Sequence, residues 1–420
     1  MLKQFMSNEF NKNVLKLMTG ATIAQAIPVA ISPILTRLYT PEDFGVLTIF
    51  IALTAIFGSI VNARYELAIV LPEKEEDSIN LVALSILIAI FISSLLLVAI
   101  LLFKNSIILL LGNDQIGLWL YFVPLTVLFI GIFNSLNYLN TRLKMFGVIA
   151  KVKVVKSVSL AIVQLGLGFL KVGAGGLVSG QIVSHVFANG KLAKEVFSNK
   201  ALLSYIRIKD MVRLGKRYSS FPKYSMGAVL ANNLSQHLIS FFLPALYSIS
   251  SVGFYGLVNR ILGMPSTIIG NSVGQVFFQR ASEEKLIHGN AKATFNSTLK
   301  KLLIISTPLF IIFFIAAEDL VAFVFGEDWR EAGLYSSILA PLFMIRFINT
   351  PLSTITSIFE KNHVALIMQL SYLIVTIVLF LIAYYFRMSI IHFLVMYSVV
   401  LFLYNCVRLF IFKRISTGEE

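Results

Sequence analysis

The chain has 420 residues, of which 57% are hydrophobic and only 13% charged, with a mean hydropathy of +0.83 and a formal charge of +14. Soluble domains carry about 25% charged residues, so this chain cannot clothe a solvated surface, and large soluble enzymes and nucleic-acid binders are excluded. A single cysteine, Cys406, leaves no internal disulfide framework and no cysteine-rich metal site. What fits is a polytopic membrane protein, with no cofactor or metal implied.

The N-terminus carries Lys3, Lys12 and Lys16 before an apolar stretch containing Ala24-Gln25-Ala26, a small-residue pattern like that of a cleaved signal. Lys16, Thr19, Gly20 and Thr22 break that stretch, and it runs on past Pro28 and Pro33. It therefore reads as the first span. Apolar runs predict about twelve helices, near 17–36, 45–63, 79–103, 118–140, 154–170, 174–190, 218–243, 254–278, 302–317, 333–358, 364–386 and 389–407. The ninth is expected to end near Glu318 and Asp319, with 320–325 lying at the interface. The runs are continuously apolar and lack ten-residue alternation, so they are helices and not the strands of a barrel.

Lys and Arg fall in alternate loops. The termini and the even-numbered loops hold 27 of the 35, the fourth loop contributing Arg142, Lys144, Lys151, Lys153 and Lys156. The opposite loops hold 5: Arg37, Lys104, Lys171, Arg330 and Arg387. This asymmetry places both termini in the cytoplasm.

Three marks recur half a chain apart. Leu38-Tyr39 with Gly45 matches Leu246-Tyr247 with Gly253, Gly112-Asn113-Asp114 matches Gly326-Glu327-Asp328, and Pro124-Leu125 matches Pro341-Leu342. The chain thus reads as two lobes of six helices, at 1–195 and 218–420, joined by a basic cytoplasmic linker at 196–217. An even number of spans per lobe makes the repeat parallel, and in transporters of this build the substrate site lies between the halves.

Three basic residues remain inside the spans: Lys223, Arg260 and Arg346. Lys223 lies early in the seventh helix beside Pro222, where it either snorkels to the interface or lines a site. Arg346 is near the middle of the tenth. A central arginine costs about 2.5–3.5 kcal/mol on insertion scales and faces a partner or a wet cavity. All 21 acidic residues map to loops or helix ends, Glu66 and Glu360 nearest the spans, so these cations have no carboxylate partner within the bilayer. Such a cluster favours an anionic ligand, above all a phosphate, which guanidinium groups bind bidentately. The competing account is hydrogen bonding to Asn, Ser or backbone carbonyls for packing.

Polar residues gather in the same helices. Asn134, Asn137 and Asn140 share a face of the fourth, Asn232, Asn233, Gln236 and His237 cluster in the seventh, and Asn259 adjoins Arg260. Asn349 follows Arg346 by three. Such a stripe lines a hydrophilic cavity or an interhelical seam. His185 and His237 are candidates for ion coupling, or packing histidines. Gly176/Gly180 and Gly270/Gly274 allow close helix approach, while no zinc-type His spacing, nucleophile elbow or paired-carboxylate motif is present.

Three stretches carry a family resemblance: Leu35-Thr36-Arg37-Leu38-Tyr39-Thr40-Pro41-Glu42-Asp43-Phe44-Gly45, the end of the second helix at 63–66, and the turn Phe325-Gly326-Glu327-Asp328-Trp329. They are similar to the O-antigen and capsule flippases (Wzx-type translocases) of the multidrug/oligosaccharidyl-lipid/polysaccharide exporter superfamily. The resemblance implies two six-helix lobes in a V in the bacterial inner membrane. It also implies movement of an undecaprenyl-diphosphate-linked oligosaccharide from the cytoplasmic to the periplasmic leaflet, with membrane lipids and a polysaccharide polymerase and chain-length regulator as partners. A cationic cavity in that family agrees with Arg346, Arg260 and Lys223, with Arg37 and Arg64 at its mouths and Asn134, Asn137, Asn233, Asn259 and Asn349 on its walls.

The chief alternative is a cation or drug antiporter of the same superfamily, which needs a carboxylate buried in a lobe. A membrane polymerase or ligase would need a large outer loop, and the longest here is about 14 residues near 104–117.

Overall fold

The computed structural model describes residues 9–111, 114–197 and 203–418, and among these there is no strand. Lys3, Gly112, Asn113 and Lys200 lie outside the described residues, as does part of the expected linker. The chain divides into two compact units, Met1–Ser250 and Ser251–Glu420.

The first unit begins with α1 (Glu9–Ala30), which runs through Ala24–Ala26 and past Pro28, and α2 (Ser32–Leu38), which opens with Pro33 in its first turn. Proline is tolerated there because its missing N–H would have no helical acceptor. The Thr-Pro-Glu-Asp stretch starts α3 (Pro41–Gly58). Asp43 N donates to Thr40 Oγ1 at 3.3 Å and Thr40 N donates to Asp43 Oδ2 at 3.1 Å, a reciprocal capping box. A short 3₁₀ segment, Tyr65–Val70, leads to α4 (Glu75–Leu111), then α5 (Phe122–Arg142), α6 (Phe146–Phe169) and α7 (Ala174–Phe197). The amphipathic α8 (Ile208–Arg217) buries Met211 and Leu214 and is followed by a π-helical turn at Phe221–Ser225, which contains Pro222. Then come α9 (Met226–His237) and α10 (Ile239–Leu246).

The second unit holds nearly all of α11 (Ile249–His288), then α12 (Lys292–Phe325), α13 (Arg330–Leu352), α14 (Asn362–Tyr385) and α15 (Ile390–Ser416). Each of the twelve expected spans falls mainly on helix, with turns that include 59–63, 218–219, 238 and 353–354. Among the described residues, eight helical stretches are long and apolar enough to cross a bilayer by length and composition.

Two expectations change. α12 does not stop at Glu318 and Asp319 but continues to Phe325, burying Val321, Ala322 and Phe325, while Arg330 reaches the two exposed carboxylates at 3.8 and 2.8 Å. The fourth loop is only 143–145, and Lys151, Lys153 and Lys156 belong to α6. The face made by Ile149, Ala150 and Val152 is buried, which extends the helix back to Phe146.

The repeat is written in the backbone. α6 and α14 each have 24 residues and their ends correspond, 146 to 362 and 169 to 385, an offset of 216 at both. α7 and α15 start at 174 and 390, with the same offset. Before α6, Met145 N donates to Asn140 O at 2.9 Å; before α14, Lys361 N donates to Thr356 O at 2.7 Å. After them, Val172 N donates to Leu167 O and Met388 N to Ala383 O. These are Schellman bonds, which require a left-handed residue, and Lys144, Glu360, Lys171 and Arg387 supply it at φ 57°, 58°, 55° and 47°.

Candidate functional site

In the second unit, Arg346 projects from α13 toward α14. Its guanidinium lies 5.4 Å from the Phe343 ring centroid and 5.8 Å from that of Tyr372, and Nη2 donates to the Tyr372 hydroxyl. The side chains of Arg346 and Asn259 approach the hydroxyl of buried Tyr255. Tyr404 packs edge-on against Tyr372 at 5.6 Å and its hydroxyl pairs with Ser371 Oγ at 2.6 Å, so the ring beneath the cation is itself held. Tyr397, also buried, stacks on Phe393 and Phe380.

A phenol accepts a hydrogen bond without cancelling charge. Stacking on a desolvated ring stabilises a cation by about 2 kcal/mol, comparable to the cost of a central arginine. Among the described residues, no carboxylate lies within ion-pair distance of Arg346. The charge is therefore stabilised but not neutralised, which is the condition for receiving an anion.

Arg260, half-buried, sits beside Asn259 on α11. Asn349 is 3% exposed and donates to the backbone and side-chain oxygens of Asn405 at 2.9 and 3.2 Å, a seam between α13 and α15.

In the first unit, Arg64 adopts a left-handed φ of 66°, pairs with Glu66 at 3.1 Å and donates from Nε to Ser225 Oγ at 3.3 Å. Glu66 is buried, so one carboxylate lies deeper than the sequence suggested, and burial pushes it above the usual carboxylate range against the pull of Arg64. Asn62, 2% exposed, donates from Nδ2 toward Ser85 O, Ser85 Oγ, Gly131 O and Ser135 Oγ, and accepts from Asn134 Nδ2 at 3.4 Å. It ties the end of α3 to α4 and α5. Asn137 lies further along α5, its Oδ1 buried without a partner. Asn233 donates to Val229 O within its own helix at 3.0 Å. Lys223 is exposed on the π-turn, Arg37 is exposed at the end of α2, and His237 is half-buried at the end of α9.

His185 is 7% exposed and meets the Phe133 ring edge-on at 6.4 Å. Lys156 meets the same ring, its Nζ 5.4 Å from the Phe133 centroid. The sequence reading missed Lys156, Tyr255, Tyr372 and Tyr397. Lys156 lies inside the expected span 154–170 although it was counted with the loop before it; the tyrosines carry no pattern of their own.

Thus Arg346 and Asn259 come together around Tyr255, and Asn134 joins the Asn62 seam. Two helical units with spans of this length and hydropathy define a polytopic membrane fold. Similar solved structures include the lipid II flippase MurJ in an inward closed conformation, at TM-score 0.72 and 14% identity over 96% of this chain and 89% of that one. A multidrug resistance MATE family transporter of the MOP superfamily, inward-facing, gives TM-score 0.60 and 14% identity over 96% of both chains. The polysaccharide biosynthesis protein family matches residues 34–333, and the chain belongs to that family. The teichuronic acid biosynthesis protein TuaB of Bacillus subtilis (strain 168) is 23% identical over 195 residues, which are 41% of this chain and 40% of that protein.

Proposed function

We propose that the protein is a flippase carrying an undecaprenyl-diphosphate-linked oligosaccharide, an O-antigen or capsule repeat unit, from the cytoplasmic to the periplasmic leaflet of a bacterial inner membrane. Arg346 carries the reading: a membrane-embedded guanidinium whose partners are rings and phenols, so its charge is free for a diphosphate. Arg260 and Lys223 are proposed to add charge, Arg37 and Arg64 to act at the mouths, and Asn134, Asn137, Asn233, Asn259 and Asn349 to meet sugars directly or hold the walls. Movement is by alternating access of lobes 1–195 and 218–420, with both termini cytoplasmic. Polysaccharide polymerase and chain-length regulator are proposed partners. Membership of a polysaccharide biosynthesis family and a MurJ-like fold support this reading. Arg346→Ala is expected to abolish surface polysaccharide at unchanged protein level; normal polysaccharide would overturn the assignment.

One observation favours a second reading, a cation or drug antiporter. Glu66 is a carboxylate buried in the first unit, with Oε2 unpartnered. His185 and His237 would be the other candidates for ion coupling. Glu66→Gln separates the readings: an antiporter loses ion-driven transport, whereas the flippase keeps its polysaccharide output.

A further inference from the structure

The internal repeat sets the two units in register, and the register exposes a correspondence no sequence motif marks. With the offset of 216 that relates α6 to α14, Lys156 falls on Tyr372. Asn189 on α7 likewise falls on Asn405 on α15, and both are buried. Pro124 and Pro341, related by 217, align Phe129 on α5 with Arg346 on α13.

Each unit therefore carries a cation over an aromatic ring at the junction of the fourth and fifth of the six expected spans of its lobe. In the second unit the cation is Arg346 on the fourth and the ring is Tyr372 on the fifth. In the first, the cation is Lys156 on the fifth and the ring is Phe133 on the fourth. Cation and ring have changed helices, the ring Phe133 standing one turn beyond Phe129, the position that corresponds to Arg346. A packing contact inherited through duplication would keep each side chain on its own helix. What survives the exchange is only the common property, a positive charge resting on a ring at that place.

The surroundings of Lys156 point to a ligand. Among the described residues no carboxylate lies within ion-pair distance of its ammonium, which is ten residues into α6. An embedded cation without a counter-ion faces a partner or a wet cavity. His185, against the same ring, has Nδ1 buried and without a hydrogen-bond partner. Asn137 and Asn189, each one turn from Phe133 and His185 on their helices, have side-chain carbonyls in the same condition. A cation with an imidazole suits a phosphate, and orphaned carbonyls suit the hydroxyl groups of a sugar.

We propose that Lys156, His185 and Phe133 form a second phosphate-binding site, the first unit's equivalent of Arg346 and Tyr372, taking the diphosphate of the same lipid-linked saccharide. The site rests on the flippase reading, and the test keeps the two apart. The full-length protein in detergent is probed by native mass spectrometry with undecaprenyl diphosphate, and with undecaprenol as the uncharged control. Wild type retains the diphosphate in preference to the alcohol. Lys156→Met keeps the aliphatic stem on Phe133 and removes the charge, and is expected to lower diphosphate retention about tenfold, the worth of one charge-assisted contact. Lys156→Arg stays within about threefold of wild type by the same arithmetic. Undecaprenol retention and the melting temperature change in neither.

If Lys156→Met retains the diphosphate like wild type while Arg346→Gln loses it, the second site is refuted and the flippase reading stands. If Lys156→Arg falls as far as Lys156→Met, the lysine is structural and the site is refuted. Wild type that prefers undecaprenol, or shows no preference, refutes the flippase reading and this inference with it. Should Lys156→Met not fold, Lys156→Gln and His185→Gln carry the same comparison, with the same outcomes.

Discussion

The stretch from α5 to α7 and its counterpart from α13 to α15 share the starts of their last two helices, a 24-residue middle helix and left-handed caps at matching positions. Their chemistry does not match. The second unit surrounds its cation with phenols; the first sets a lysine on a phenylalanine, with a histidine alongside. Backbone devices such as Schellman caps depend on a few φ values, so many side chains satisfy them and the architecture tolerates divergence. A buried charge tolerates much less, because each cation needs its own stabilising surroundings. The two halves thus share a frame while their polar interiors were built separately.

Breaking the phenol cage should have the largest effect. Tyr372→Leu removes both the hydroxyl acceptor and the ring under Arg346, and surface polysaccharide is expected to be lost. Tyr372→Phe keeps the ring and loses the hydroxyl, and should lower output by about tenfold, the worth of one hydrogen bond to a charged group. Quantifying the polysaccharide at matched protein level checks both. Equal output from the two variants would show that the ring contributes nothing.

Two glycines at corresponding positions, 117 and 333, sharpen the comparison next. A Cβ on Gly333 would lie 2.5 Å from Glu318 Cα, a backbone atom, whereas a Cβ on Gly117 would meet Ile108 Cδ1, the tip of a flexible side chain, at 2.8 Å. Gly333→Ala should cost about 1–3 kcal/mol through overpacking, and Gly117→Ala less than about 1 kcal/mol. Thermal unfolding in detergent measures the difference; equal losses would mean that α4 and α12 are packed with equal rigidity.

Asn62→Leu should rank beside Gly333→Ala. It removes the amide that donates toward Ser85, Gly131 and Ser135 and accepts from Asn134, for which about 1–3 kcal/mol is expected, read by the same unfolding assay. A seam change in the second unit, Asn349→Leu, frees a single partner, Asn405, and should cost less.

The smallest expected effect is a pH dependence at the start of α12. Partial burial would raise the Glu284 carboxyl, but donors at Thr294 and Ala293 outweigh it and hold the group below its ordinary value of 4.5. Their backbone N–H groups lie 2.7 and 2.9 Å from its oxygens. Since the folded value is the lower one, this stabilisation is present above pH 4.5 and is lost as pH falls through the folded value. Glu284→Gln should lower the melting temperature slightly at pH 7 and not at pH 3. An equal difference at both values would show that the carboxylate charge is irrelevant.

The spans, the repeat and the place of Arg346 within a helix were legible because apolar runs, offsets and a lone central arginine are properties of the chain. Lys156 was not. Lys151, Lys153 and Lys156 in close succession look like a solvated loop, although the intervening Val152 is buried in a helix. The tyrosines around Arg346 come from α11, α14 and α15, and their convergence is a tertiary event without a local signature. Glu66 was hidden in the same way, buried by a 3₁₀ segment just beyond the second span.

The central claim is that Arg346 carries a diphosphate through the membrane, and flipping in proteoliposomes tests it most directly. Wild-type protein and Arg346→Gln are reconstituted at equal density with a fluorescent undecaprenyl-diphosphate-linked saccharide, and leaflet exchange is followed by quenching from outside. The account predicts rapid exchange with wild type and, with Arg346→Gln, exchange no faster than in protein-free vesicles. Exchange by Arg346→Gln at the wild-type rate would contradict it.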